Sequence, residues 1–287
     1  MSPLLHGVGA AFGWGVADYA GALAARRIGA LWTSFGMQIL GTAVLATVLA
    51  SIGRWPALSG EVFLWAAGLA VLGVVSLYFL YWGMALGPIA VVSPITAAYA
   101  ALTVLLVVAL LGERLALTQA GAIVLVFAGV LLASTDTRQL VASLRRPLPG
   151  VRIGVLAMIG FGLWGTLLAA ARREHDALAL VLAARMLSVV LLALVVLALR
   201  SRVPAGLRAP RALWLVAATG VFDTLANVFY AVGFESGQAS IVATGSAAYP
   251  LLPAFLAVAV LGERLAPNQY LGVAVLVVGL VALGLVS

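Results

Sequence analysis

The hexapeptide Leu-Gly-Glu-Arg-Leu-Ala occurs twice in this chain, at Leu111–Ala116 and at Leu261–Ala266, each time closing a long apolar run. The copies are 150 residues apart, and the match extends well beyond them. Residues 97–116 read AAYAALTVLLVVALLGERLA and residues 247–266 read AAYPLLPAFLAVAVLGERLA, with Gln119 and Gln269 continuing the register. At the same offset Phe79, Gly83 and Gly87 align with Phe229, Gly233 and Gly237, while Gly7, Gly13 and Gly15 match the spacing of Gly154, Gly160 and Gly162. Self-similarity over so long a period means a duplicated structural unit.

Each unit is built from apolar runs of membrane-spanning length. A hydrocarbon core of roughly 30 Å takes about 20 helical residues. Ten such runs are found, at 4–24, 30–52, 62–85, 88–111, 116–134, 151–171, 177–199, 211–234, 239–261 and 268–286. The composition agrees, with 64% of the 287 residues apolar and 9% charged, against about half and a quarter in soluble domains. The expected fold is an all-α polytopic membrane protein of ten transmembrane helices. Residues 1–134 form the first five-helix repeat, 135–150 a linker and 151–287 the second repeat. Because five is odd, the second repeat enters the membrane from the opposite side. Inverted repeats of this kind surround a central cavity in secondary transporters. No basic n-region precedes the first run, so it is expected to persist as a span. The short loops leave no room for a soluble sensor or ATPase domain.

The ionisable inventory excludes further chemistry. All 16 basic residues are arginine, and there is no lysine or cysteine. Schiff bases and P-loop phosphate binding need lysine, and disulfides and thiolate metal sites need cysteine. No cofactor, metal site or catalytic residue is expected. The net charge of +7 is not read as a nucleic-acid footprint, since the arginines mostly separate apolar runs and anchor them at the lipid headgroups. By connection, about eleven fall between runs 1–2, 3–4, 5–6, 7–8 and 9–10, four fall in the opposite set, and Arg185 lies inside a run. The positive-inside rule then puts both termini outside.

Ten spans in two five-helix repeats, each closing its fourth span with L-G-E-R-L-A, resemble the EamA family of the drug/metabolite transporter superfamily over essentially the whole chain. That resemblance implies that spans 1, 3, 4, 6, 8 and 9 surround the cavity, with 5 and 10 outside. It also implies a multi-pass protein of the inner (cell) membrane with cytoplasmic termini, against the arginine count. The aromatic-rich third and fourth spans look most like the YddG type of amino acid exporter.

Polar side chains within spans are the candidate site, because an ionisable group in hydrocarbon costs at least ~2.5–3.5 kcal/mol on insertion scales. Asp18 and Trp14 share a face of span 1 with Ala11 and Gly7, small residues that admit a neighbouring helix. Asp223, Asn227 and Tyr230 share a face of span 8, where the first repeat has Gly73 and Leu77 at the positions of Asp223 and Asn227. An asymmetry of this kind suits ligand recognition, and interhelical hydrogen bonding accounts for it equally well. Tyr78, Tyr81 and Trp82 recur on one face of span 3. Tyr81 and Trp82 read as an interfacial belt, while Tyr78, with Tyr99 of span 4 beside Thr96, Trp164 of span 6 and Tyr249 of span 9, suits an aromatic cavity wall. Pro88, Pro94, Pro250 and Pro253 are expected to kink spans 4 and 9. Arg185 must pair or snorkel, with Asp18, Asp223 or lipid phosphate as partner. The paired Glu113–Arg114 and Glu263–Arg264 turns read as structural, each carboxylate meeting an arginine or a helix N-terminus.

The reading is a secondary transporter exporting amino acids or similar small metabolites by alternating access. Its partners are a small-molecule substrate and the lipid bilayer, and either a monomer or a homodimer is compatible with it. Alternatives are a multidrug or sugar-conjugate carrier, a polytopic membrane enzyme and a passive channel. His6 and His175 lie near span ends and no H-E-x-x-H or G-x-G-D pattern occurs, which weighs against the enzyme.

Overall fold

A computed structural model of the chain describes residues 2–56, 59–87, 89–134, 149–252 and 267–286. They form α1 (Pro3–Ile28), α2 (Ala30–Ser51), α3 (Gly60–Leu86), α4 (Ile89–Ala97), α5 (Tyr99–Leu111), α6 (Leu117–Ser134), α7 (Pro149–Ala171), α8 (Ala177–Ala198), α9 (Pro210–Ser236), α10 (Ala239–Ser246) and α11 (Pro267–Val286). A 3₁₀ turn at Ala205–Arg208 precedes α9. No strand occurs among the described residues.

Helices dominate because hydrocarbon offers no partner for a free backbone N–H or C=O, and the chain marks their ends with ordinary caps. The Ser2, Ser59 and Asp176 side chains accept the amides of Leu5, Val62 and Ala179 at 3.4, 3.2 and 2.9 Å. Gly112 closes α5 in the left-handed region, at φ 68°, where a β-carbon would be strained.

Seven described segments are long and apolar enough to cross a membrane: 30–51, 60–86, 92–111, 152–171, 177–198, 210–236 and 267–286, with the shorter apolar Leu117–Ala133 beside them. Helix α1 is as long as these, but its glycines, His6, Asp18 and the terminal Arg26–Arg27 lower its hydropathy. The chain is thus a multi-pass membrane protein.

The helices pair across the two repeats as a twofold exchange requires. Helix α1 packs on α9, as α7 packs on α3; α2 meets α9, as α8 meets α3; α1 meets α10, as α7 meets α4 and α5. Two pairs are their own counterparts, α6 with α11 and α2 with α8. Close approach depends on glycine in places: a β-carbon on Gly279 of α11 would lie 2.8 Å from the Val126 nitrogen of α6.

Two expected helices are interrupted. Run 88–111 breaks at Ala98 between α4 and α5, and run 239–261 leaves the helix after Ser246, in a turn that includes Pro250. Pro94 lies inside α4. Helix α7 begins at Pro149, within the expected linker. Pro88, Pro253, the second hexapeptide with Glu263 and Arg264, and linker residues 135–148 lie outside the described residues.

Candidate functional site

A cavity lies between the repeats, lined from α1, α2, α3, α5, α7, α8 and α9 and the turn after α10. It holds about 760 Å³ of empty space counted to its mouth. Trp14, Asp18, Tyr99, Trp164, Asp223, Asn227 and Tyr249 all line it. Tyr78 does not; it is half-buried and lies against Trp82, with 5.7 Å between ring centroids.

The polar end is organised around Arg185. Its position midway along α8 buries the guanidinium among apolar helices, where it needs a counter-charge. Nη2 donates to Asp223 Oδ2, and Nη1 donates to Gln38 Oε1 at 3.0 Å. Of the partners expected for Arg185, the structure selects Asp223. Asn227 donates from Nδ2 to the Asp223 carbonyl one turn earlier, at 2.7 Å. Asp18 is also buried, but has no hydrogen-bond or ion-pair partner among the described residues. Counting Asp18, Asp223 and Arg185 as ionised, the lining carries one net negative charge.

The remaining wall is aromatic. Trp14 meets Tyr99 edge to face at 6.1 Å and Tyr230 at 5.1 Å, Trp164 meets Tyr230 at 6.3 Å, and Phe161 meets Tyr99 at 6.0 Å. These contacts pack the rings against one another along the cavity wall, a surface suited to apolar groups and to cations.

Besides the placement of Tyr78, one sequence expectation is corrected. Tyr81 is not part of an interfacial belt: it is fully buried, its hydroxyl donating to Met37 Sδ at 3.3 Å. Helix α3 turns that side of its face onto α1 and α2, leaving Trp82 on the outer surface. Thr96 is absent from the lining and donates to the Val92 carbonyl at 3.0 Å, bonding its own helix. Gln38 and Phe161 are lining residues missing from the candidate set, while Tyr230, expected on the face of Asp223 and Asn227, lines the cavity with them. Gln38 carried a usable signal, the one amide side chain within span 2. Phe161 carried none.

Away from the cavity, Glu61, Glu174 and His175 bring ligand atoms within 4.8 Å of one another, with both glutamates exposed. At the same end Arg54 bridges Asp176 at 2.5 Å and Glu235 at 3.4 Å. Hydrogen bonding to Asp176 raises the Arg54 pKa above its ordinary value.

A sequence profile of the EamA-like transporter family matches residues 1–135 and again residues 148–285. No curated protein is significantly similar in sequence. A solved crystal structure, described only as that of a protein, superimposes with a TM-score of 0.76 at 18% identity, covering 99% of this chain and 99% of its own. At that identity the likeness is one of fold.

Proposed function

The chain belongs to the EamA-like transporter family, and from that premise we propose that it is a secondary transporter exporting amino acids or similar small metabolites. It works by alternating access between two inverted five-helix units, spanning the inner membrane ten times. One observation carries the substrate class: a carboxylate without a partner among the described residues, an arginine and an aromatic wall share a cavity. Asp18 receives the ammonium group of a zwitterion. Arg185, which has five N–H donors in all, engages Gln38 and Asp223 and offers its remaining capacity to the carboxylate. The rings accept varied side chains. The pairing of Arg185 with Asp223 also argues against nucleotide sugars, because the one arginine of the described lining is already matched by a carboxylate and leaves no spare positive charge for a phosphate.

The reading is tested by counterflow. Purified protein in liposomes preloaded with an amino acid should accumulate labelled substrate saturably. A broad amino acid panel without counterflow removes the assignment, and uptake of organic cations instead would favour the multidrug reading, which the net negative charge and ring faces also suit. Flux without saturation or counterflow indicates a channel.

Asp18 supports a further element, proton coupling. A buried carboxyl in the cavity with no basic partner among the described residues can exchange a proton for a bound ammonium, so that export is driven by proton entry.

A further inference from the structure

Glu113 belongs to the first repeat, yet its carboxylate sits on the second. It lies in the turn between α5 and α6, where Gly112 reverses the chain after α5. Its Oε2 accepts the Ala239 amide and its Oε1 the Ser240 amide, each at 3.2 Å, and Oε1 also accepts the Ser240 hydroxyl. Of the two partners expected for this carboxylate, the structure shows a helix N-terminus, that of α10. A carboxylate is held there by charge-assisted bonds and by the positive end of the helix dipole.

Other contacts join the same turn to the second repeat. Gln238 donates to the Arg114 carbonyl at 3.0 Å; Gln119 donates to Gln238 Oε1 and the Val286 carbonyl, both at 3.1 Å; Arg173 donates to the Leu111 carbonyl at 2.5 Å. Helix α10 runs from this junction toward the cavity and is buried along all eight residues. Its last residue, Ser246, lies 2.8 Å from the Tyr99 hydroxyl, and the turn after it carries Tyr249. One buried rod therefore connects the Glu113 carboxylate to the cavity wall.

We propose that Glu113 is the latch of a gate: seated on the first two amides of α10, it holds the passage shut at this end of the molecule, and its release lets α10 move and open the cavity there. The motif that duplicates most closely in the sequence is thereby a moving part. The proposal rests on the alternating-access reading, but its test needs no substrate.

Because the chain has no native cysteine, one introduced cysteine reports cleanly. Ser188→Cys places a thiol in the cavity wall, and its rate of modification by a charged, membrane-impermeant methanethiosulfonate, applied from the Glu113 end in oriented vesicles, measures access. Adding Glu113→Gln should raise that rate about tenfold, as expected for loss of a charge-assisted bond. Ala239→Pro removes one amide donor and keeps the carboxylate. Proline is favoured at the first helical position, and the extended backbone of Gln238 before it is compatible. It should raise the rate in the same direction. An unchanged rate in Glu113→Gln protein of normal thermal stability overturns the latch. If that variant does not fold, an unchanged rate in Ala239→Pro overturns it alone. Failed amino acid counterflow with increased access in these variants would reject the substrate and keep the gate.

Discussion

Tyr99 and Tyr249 occupy equivalent positions in the two repeats, and their rings stack on each other with 6.4 Å between centroids and 30° between planes. Each stands where its span ceases to be a continuous helix. The hydroxyls are anchored crosswise: that of Tyr99 lies 2.8 Å from Ser246 Oγ, and that of Tyr249 donates to the Ser93 carbonyl at 3.1 Å. Relative motion of the repeats must therefore rearrange this contact, which also forms part of the cavity wall. One hydrogen bond contributes a net ~1 kcal/mol, so Tyr99→Phe should change the counterflow KM about fivefold or less. Tyr99→Ala loses several ring contacts worth ~0.5–1.5 kcal/mol each beyond area burial, and should raise KM more than tenfold. Equal effects of the two would mean that the hydroxyl, not the ring, carries the role.

The buried Arg185–Asp223 pair makes a prediction about stability. Removing one partner strands the other charge, at a cost of about 3–5 kcal/mol. Arg185→Ala and Asp223→Ala should each lower the thermal unfolding midpoint in detergent substantially, while the double variant recovers most of the loss. Additive losses would contradict the pairing.

These two features show what was readable from residues alone. The repeat offset identified Tyr99 and Tyr249 as equivalents, and rarity of charge within spans selected Asp18, Arg185 and Asp223. Periodicity assigned faces within one helix. It carried no information about which neighbouring helix each face meets, so Arg185 had three possible partners and Tyr81 was assigned to the interface instead of the core. Phe161 escaped notice because an isolated phenylalanine in an apolar span looks the same in lipid and in a cavity wall. Proline positions anticipated irregularity in spans 4 and 9, but the break at Ala98 lies beyond Pro94 itself.

If transport is proton-coupled as proposed, Asp18 is the carboxyl whose replacement separates driven transport from exchange. In wild-type liposomes an imposed pH gradient should change the initial rate of transport. Asp18→Asn should remove that dependence while retaining measurable counterflow, because the amide preserves shape and polarity without exchanging a proton. Gradient-stimulated transport surviving in Asp18→Asn would assign coupling to another group.

Arginine is distributed unevenly between the two ends, and this makes a prediction about orientation. The end at which α1 and α8 finish carries Arg26, Arg27, Arg152, Arg200, Arg202, Arg208 and Arg211 among the described residues. The Glu113 end carries Arg54, Arg114, Arg172 and Arg173, four of them against seven. Both described chain ends lie there too, since Pro3 is beside Gly237 and the Val286 carbonyl accepts from Gln119. The positive-inside rule counts basic residues, with acidic ones contributing little, and therefore puts the arginine-rich end in the cytoplasm and both termini outside. Resemblance to the family implies the reverse. Two single-cysteine variants decide between them: Gly60→Cys at the Glu113 end, where a β-carbon meets nothing within 4 Å, and Val203→Cys in the exposed turn after α8. In intact cells an impermeant maleimide should label Gly60→Cys and leave Val203→Cys unreacted until the membrane is permeabilised. The opposite pattern would show that the arginines are retained for headgroup anchoring and do not set topology.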